Sequence, residues 1–142
     1  AGPARIQAGV RQSDVFESVD EAIERARSTN PNADEAEQSH RVTHGLMQRD
    51  DGKWTFRYDK ALRDPDNPRP RPTSEEGWAL WEQINVPTLL VRGEISDVLP
   101  EDIAAKMVKT GADCQFAEIA GSGHSIPLDR PAGFLEAVRS YL

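Results

Sequence analysis

Residues 86–97 read Val-Pro-Thr-Leu-Leu-Val-Arg-Gly-Glu-Ile-Ser-Asp. The opening half is an almost continuous apolar run of strand length, the pattern a parallel strand needs when both of its faces are covered. Pro87 stands at the beginning of the run, where a missing N–H is tolerable. The closing half, from Arg92 to Asp97, is polar and predicts the loop that leaves the strand's carboxyl end.

On the C-terminal side, Pro100 opens a helix through about Lys109, with Ile103, Ala104 and Met107 on one face and Gly111 as its stop. Residues 114–120 predict a second strand. Gly121-Ser122-Gly123-His124 follows as a tight turn, and Pro131 starts a last helix striped by Phe134, Leu135, Val138 and Leu142. On the N-terminal side, Thr73 or Ser74 caps a helix carrying Glu75 and Glu76 in its first turn, where carboxylates favour the positive end of the helix dipole. Its buried side is expected to be Trp78, Leu80, Trp81 and Ile84. The order helix, strand, helix, strand, helix calls for right-handed crossovers and a parallel sheet.

Residues 1–72 are built differently. Ser18 with Glu21 three residues later forms a capping box for a helix over 19–27, which Asn30-Pro31-Asn32 stops. Asn32 with Glu35 repeats the signal for a second helix running through about Gln48, whose apolar stripe is thin: Ala33, Ala36, Val42, Leu46 and Met47. Asp50-Asp51-Gly52 is a turn, and residues 53–58 alternate as a half-buried strand or an ordered extended loop. The proline-rich stretch 64–72 is the boundary, so residues 1–72 form a helical region closed by a linker and residues 73–142 an α/β region. Arg63, Arg69 and Arg71 lie among prolines and acids there, as in a solvated linker.

With 142 residues, the chain has the length of one ordinary domain. At 37% hydrophobic and 29% charged residues it is polar for a domain that must close its own core. Two strands are also too few for a free-standing parallel sheet, so the sequence looks like part of a larger one, completed by a missing N-terminal segment of the same fold or by another copy of the chain. The net charge of −7 argues against nucleic acid as a partner, because that affinity comes from clustered Lys and Arg. No apolar stretch is long enough to cross a bilayer, and residues 1–5 lack the centre of a signal peptide. The one cysteine, Cys114, excludes an intrachain disulfide and a cysteine zinc cluster, and its neighbours mark it as a small core residue. A cytoplasmic, reducing location is the expectation.

Chemistry in open α/β sheets gathers beyond the carboxyl ends of the strands. Each strand delivers one apt residue there, Asp97 after the first and His124 after the second. A buried carboxylate accepting a hydrogen bond from the histidine Nδ1–H would fix the tautomer and stabilise the imidazolium formed in proton transfer. Taken singly, Asp97 could be the N-cap of the next helix and His124 an exposed turn residue. Glu94, closer to the strand, is the weaker candidate acid. Ser122 and Ser125 read as turn residues. His40 and His44, four apart, have a spacing used by metals, with Glu37 one turn earlier, but without further ligands surface or lid packing is the preferred reading and no metal is expected.

The words Val-Pro-Thr-Leu-Leu-Val-Arg-Gly-Glu-Ile-Ser-Asp-Val-Leu-Pro and Gly-Ser-Gly-His-Ser-Ile-Pro-Leu-Asp-Arg-Pro resemble the last two strand-end motifs of the α/β-hydrolase superfamily. The resemblance implies that Asp97 is the triad acid and His124 the general base, and that the helical first part is a lid inserted before the last two core strands. The family's nucleophile sits on a G-x-S-x-G turn, earlier in the chain than the acid and histidine, and no such turn occurs here. The resemblance therefore implies a hydrolase of ester, lactone or related acyl bonds, acting on a small molecule without a cofactor, whose nucleophile lies outside these residues. The alternative is a noncatalytic fragment or association module.

Overall fold

The computed structural model describes residues 13–62, 64 and 72–142. The expected linker lies almost wholly outside the described residues, as does the segment read against a signal peptide. The described residues fall into two compact units, with the division between residues 64 and 72.

In the first unit, strand β1 (Val15–Phe16) leads into helix α1 (Val19–Thr29), followed by helix α2 (Glu35–Gly45), strands β2 (Leu46–Gln48) and β3 (Trp54–Phe56), and a short 3-10 turn at Lys60–Leu62. Ser18 Oγ accepts the Glu21 N–H at 3.1 Å, as the capping box requires, while the Glu21 carboxylate reaches back to the Glu17 N–H at 2.7 Å. The cap of α2 is Asp34, not Asn32, its carboxylate accepting the N–H groups of Ala36 and Glu37. The helix also stops at Gly45 and not at Gln48. Residues 46–48 leave it as a strand because they pair antiparallel with Trp54–Phe56 across the Asp50-Asp51-Gly52 turn, which Gly52 closes at φ 81°.

That pairing places Leu46 in the unit's core with Phe16, Ala22 and Val42, and leaves Met47 exposed. Phe16 meets Phe56 edge to face at 5.6 Å. The thin stripe of α2 is explained by Gln38, which is buried and donates to Ala26 O and Asn30 O, tying α2 to the end of α1 through a satisfied polar contact.

In the second unit, helix α3 (Ser74–Trp81) precedes strand β4 (Thr88–Gly93), helix α4 (Glu101–Thr110), strand β5 (Cys114–Ile119), a one-turn helix α5 (Ile126–Asp129) and helix α6 (Pro131–Tyr141). Thr73 and Glu76 form the full capping box of α3. Strands β4 and β5 pair in parallel from Thr88↔Cys114 to Gly93↔Ile119. Trp81 anchors α3 through its indole N–H to Met107 O at 3.1 Å, but Leu80 is 57% exposed and Ile84 39%, so only part of the expected buried side is covered. Cys114 is half-buried and not a core residue. Val86, Phe116, Leu135 and Leu142 are also exposed. Among the described residues no helix is long and apolar enough to cross a membrane.

Candidate active site at two strand ends

The loops after β4 and β5 leave the same end of the sheet because the strands are adjacent and parallel. They are stitched together by main-chain contacts: Glu94 N–H to Ile119 O and Ile95 N–H to Ser122 O, both 3.0 Å. Glycine at 93 is required by this closeness. A Cβ there would lie 1.9 Å from Gly123 O and 2.5 Å from Ser122 O, far inside contact distance. Gly121 turns at φ 63°, a conformation that favours glycine.

Glu94, the weaker candidate acid, is engaged elsewhere: its carboxylate accepts the Gly121 N–H at 2.7 Å and so bridges the two loops. Asp97 and His124 are both exposed at the rim of this strand end. Ser96, the residue before Asp97, places its Oγ 3.4 Å from His124 Nδ1. The imidazole therefore turns Nδ1 toward the loop that bears Asp97. The sequence reading expected a buried carboxylate in this place. Instead the buried group is Ser96, whose Oγ accepts the N–H groups of Val98 and Leu99 and folds the bend that carries Asp97.

The same bend bears on the capping alternative for Asp97. Helix α4 is capped by Pro100 with no side-chain hydrogen bond, so Asp97 is not its N-cap.

Two supporting groups escaped the sequence reading. Asp129, 2% exposed, accepts the Gly123 N–H at 2.8 Å and holds the turn from which His124 projects. Arg92, also buried, donates to Leu99 O and Glu94 O and pairs with Glu118 on β5. A charged residue inside an apolar strand was the one available signal for Arg92. Asp129, next to Arg130 and Pro131, looks solvated in the sequence. Ser122 is fully buried and its hydroxyl donates to Gly123 O, in keeping with a turn role.

His40 and His44 lie outside this site, exposed on α2 with ring centroids 4.2 Å apart. Their exposure agrees with the surface arm of the surface-or-lid-packing expectation. No group of three or more His, Cys, Asp or Glu positioned to share a metal occurs among the described residues.

By its likeness to solved structures, the fold of the chain is that of the C-terminal half of an α/β-hydrolase. The chain is similar to the esterase Rv0045c of Mycobacterium tuberculosis, 26% identical over 145 residues that take in 99% of this chain and 44% of that protein. A solved structure of that esterase matches with a TM-score of 0.73 at 23% identity, over 98% of this chain and 46% of its own. An α/β hydrolase from Novosphingobium aromaticivorans matches with a TM-score of 0.78 at 25% identity, over 99% and 50%. The chain thus spans about half the length of these relatives. No family model matches it.

Proposed function

We propose that this chain supplies the acid and the base of an α/β-hydrolase that cleaves an ester, lactone or related acyl bond of a small molecule, with the nucleophile on a segment outside these 142 residues. His124 is the general base and Asp97 its orienting acid. The observation that carries the reading is the approach of His124 Nδ1 to Ser96 Oγ, which turns Nδ1 toward the acid loop and points Nε2 the other way, where a triad histidine meets its nucleophile. The likeness to an esterase supports the reaction class, and the share of that esterase covered supports a nucleophile elsewhere.

In the first half-reaction Nε2 takes the nucleophile's hydroxyl proton as its oxygen bonds to the acyl carbon. The imidazolium then returns that proton to the leaving alkoxide as the acyl–oxygen bond breaks. In the second, His124 takes a proton from water, which attacks the acyl carbon, and returns the proton to the departing nucleophile. The carboxylate of Asp97 holds the Nδ1–H tautomer throughout. The chain's own residues need no cofactor for these steps.

A second reading, an association module, is favoured by the exposure of Val86, Phe116 and Leu135 around a two-stranded sheet. Its partner would be the remaining segment of the same fold or another copy of the chain. Light scattering separates the readings, since a strictly monomeric folded chain counts against self-association. The catalytic reading is tested by hydrolysis of a p-nitrophenyl acyl ester. The chain alone should be inactive, and fusion behind a segment with a G-x-S-x-G elbow should confer activity that His124→Ala abolishes. Hydrolysis by the chain alone that survives His124→Ala would overturn it.

A further inference from the structure

Arg92 sits on β4 opposite Glu118 of β5, 8% exposed, with its guanidinium engaged in three directions. Nη1 pairs with the Glu118 carboxylate, Nε donates to Leu99 O at 2.9 Å, and Nη2 donates to Glu94 O at 3.1 Å. Glu94 and Leu99 are the two ends of the loop that contains Ser96 and Asp97. One side chain therefore grips the loop where it leaves the strand and again where it enters the approach to α4.

We propose that Arg92 is a positioning residue that sets the acid loop against His124 through the fork of its guanidinium and not through its charge. This rests on the reading of Asp97 and His124 as acid and base. The rigid planar fork of a guanidinium, with its N–H groups fanned in fixed directions, holds the carbonyls at both ends of the bend in one geometry. Lysine keeps the positive charge but carries its donors on one atom and lacks the planar fork that reaches Leu99 O through Nε and Glu94 O through Nη2. Glu118, partly exposed on the neighbouring strand, steadies the fork from the sheet side. The first half of the loop has further restraints: the Glu94 and Ile95 N–H groups bond to Ile119 O and Ser122 O, the Glu94 carboxylate accepts the Gly121 N–H, and Ser96 folds the middle. Freeing Leu99 O removes the contact that ties the far end of the bend back to β4.

The test is the tautomer of His124, read from its ring 15N shifts in the 142-residue chain above the titration range of histidine. Four proteins are compared: the unsubstituted chain, Asp97→Asn, Arg92→Lys and Arg92→Gln. Asp97→Asn should lower the Nδ1–H population. With Asp97 intact, both Arg92 variants should produce at least half of that change.

If Asp97→Asn leaves the tautomer unchanged, the acid and base reading fails and takes this inference with it. If Asp97→Asn acts but Arg92→Lys matches the unsubstituted chain, the positioning role of the fork fails alone. Should Arg92→Gln not fold, Arg92→Lys decides. A folded spectrum missing from Arg92→Lys would also overturn the inference, because Arg92 would then be holding the unit together and not the loop.

Discussion

Ser96 Oγ stands 3.4 Å from His124 Nδ1, joining the loop after β4 to the turn after β5. The same oxygen accepts the N–H groups of Val98 at 3.4 Å and Leu99 at 3.2 Å, and in the Nδ1–H tautomer the imidazole is the donor in its contact with Ser96. At such a length this contact is weak, whereas a hydrogen bond to a carboxylate is charge-assisted and about twice as strong as a neutral one. Ser96 therefore folds the loop more than it governs the histidine. Ser96→Ala should lower stability by about 1 kcal/mol, in the range of a lost hydrogen bond or cap, read as a lower urea midpoint. An unchanged midpoint would remove Ser96 from this role.

Gly93 has no room for a side chain, because the carbonyls of Ser122 and Gly123 occupy the space and main chain cannot swing aside. Gly93→Ala should cost on the order of 3 kcal/mol, as overpacking does at its severe end. Thermal unfolding monitored by circular dichroism measures it. A cost below roughly 1 kcal/mol would mean that the two loops are not so closely apposed.

Asp129 holds the histidine turn through the Gly123 N–H from a buried position. Asp129→Ala strands that donor, with an expected loss of about 1–3 kcal/mol. Amide hydrogen exchange at Gly123 should quicken by more than exchange in the middle of β4. Equal acceleration at both places would indicate a general loss of stability.

On α3, the Glu76 carboxyl is held below the ordinary glutamate value of 4.5, first by the Thr73 backbone N–H and then by the Thr73 hydroxyl. A carboxyl with a depressed folded value contributes stability that is present above its unfolded value and lost as pH falls through the folded one. The capping box should accordingly weaken on acidification below about pH 4.5. Comparing Glu76→Gln with the unsubstituted chain across that window checks it: the gap in stability should narrow as pH falls. A gap that widens would reverse the sign.

The second unit was legible where burial leaves a pattern. A strand suited to cover on both faces is apolar along its length, so residues 88–91 announce β4, although they are only half-buried here, and the strand-end positions of Asp97 and His124 follow from it. Caps were legible for the same local reason, as Thr73 and Glu76 show. The three-residue strand Leu46–Gln48 was not, because it is too short to display a period and exists through pairing with Trp54–Phe56. The exposure of Leu80 and Ile84 was equally invisible, since a stripe of apolar residues records that a helix face suits burial and not whether anything covers it. Within the site, the roles of Ser96, Arg92 and Asp129 depend on which main-chain groups come near them, and a linear sequence does not encode that proximity.

The central claim is that Asp97 and His124 act as a pair, and the ring 15N spectrum of His124 in the chain with and without Asp97→Asn tests it most directly. A dominant Nδ1–H tautomer should give way to Nε2–H when the carboxylate becomes an amide. The same tautomer in both proteins would contradict it.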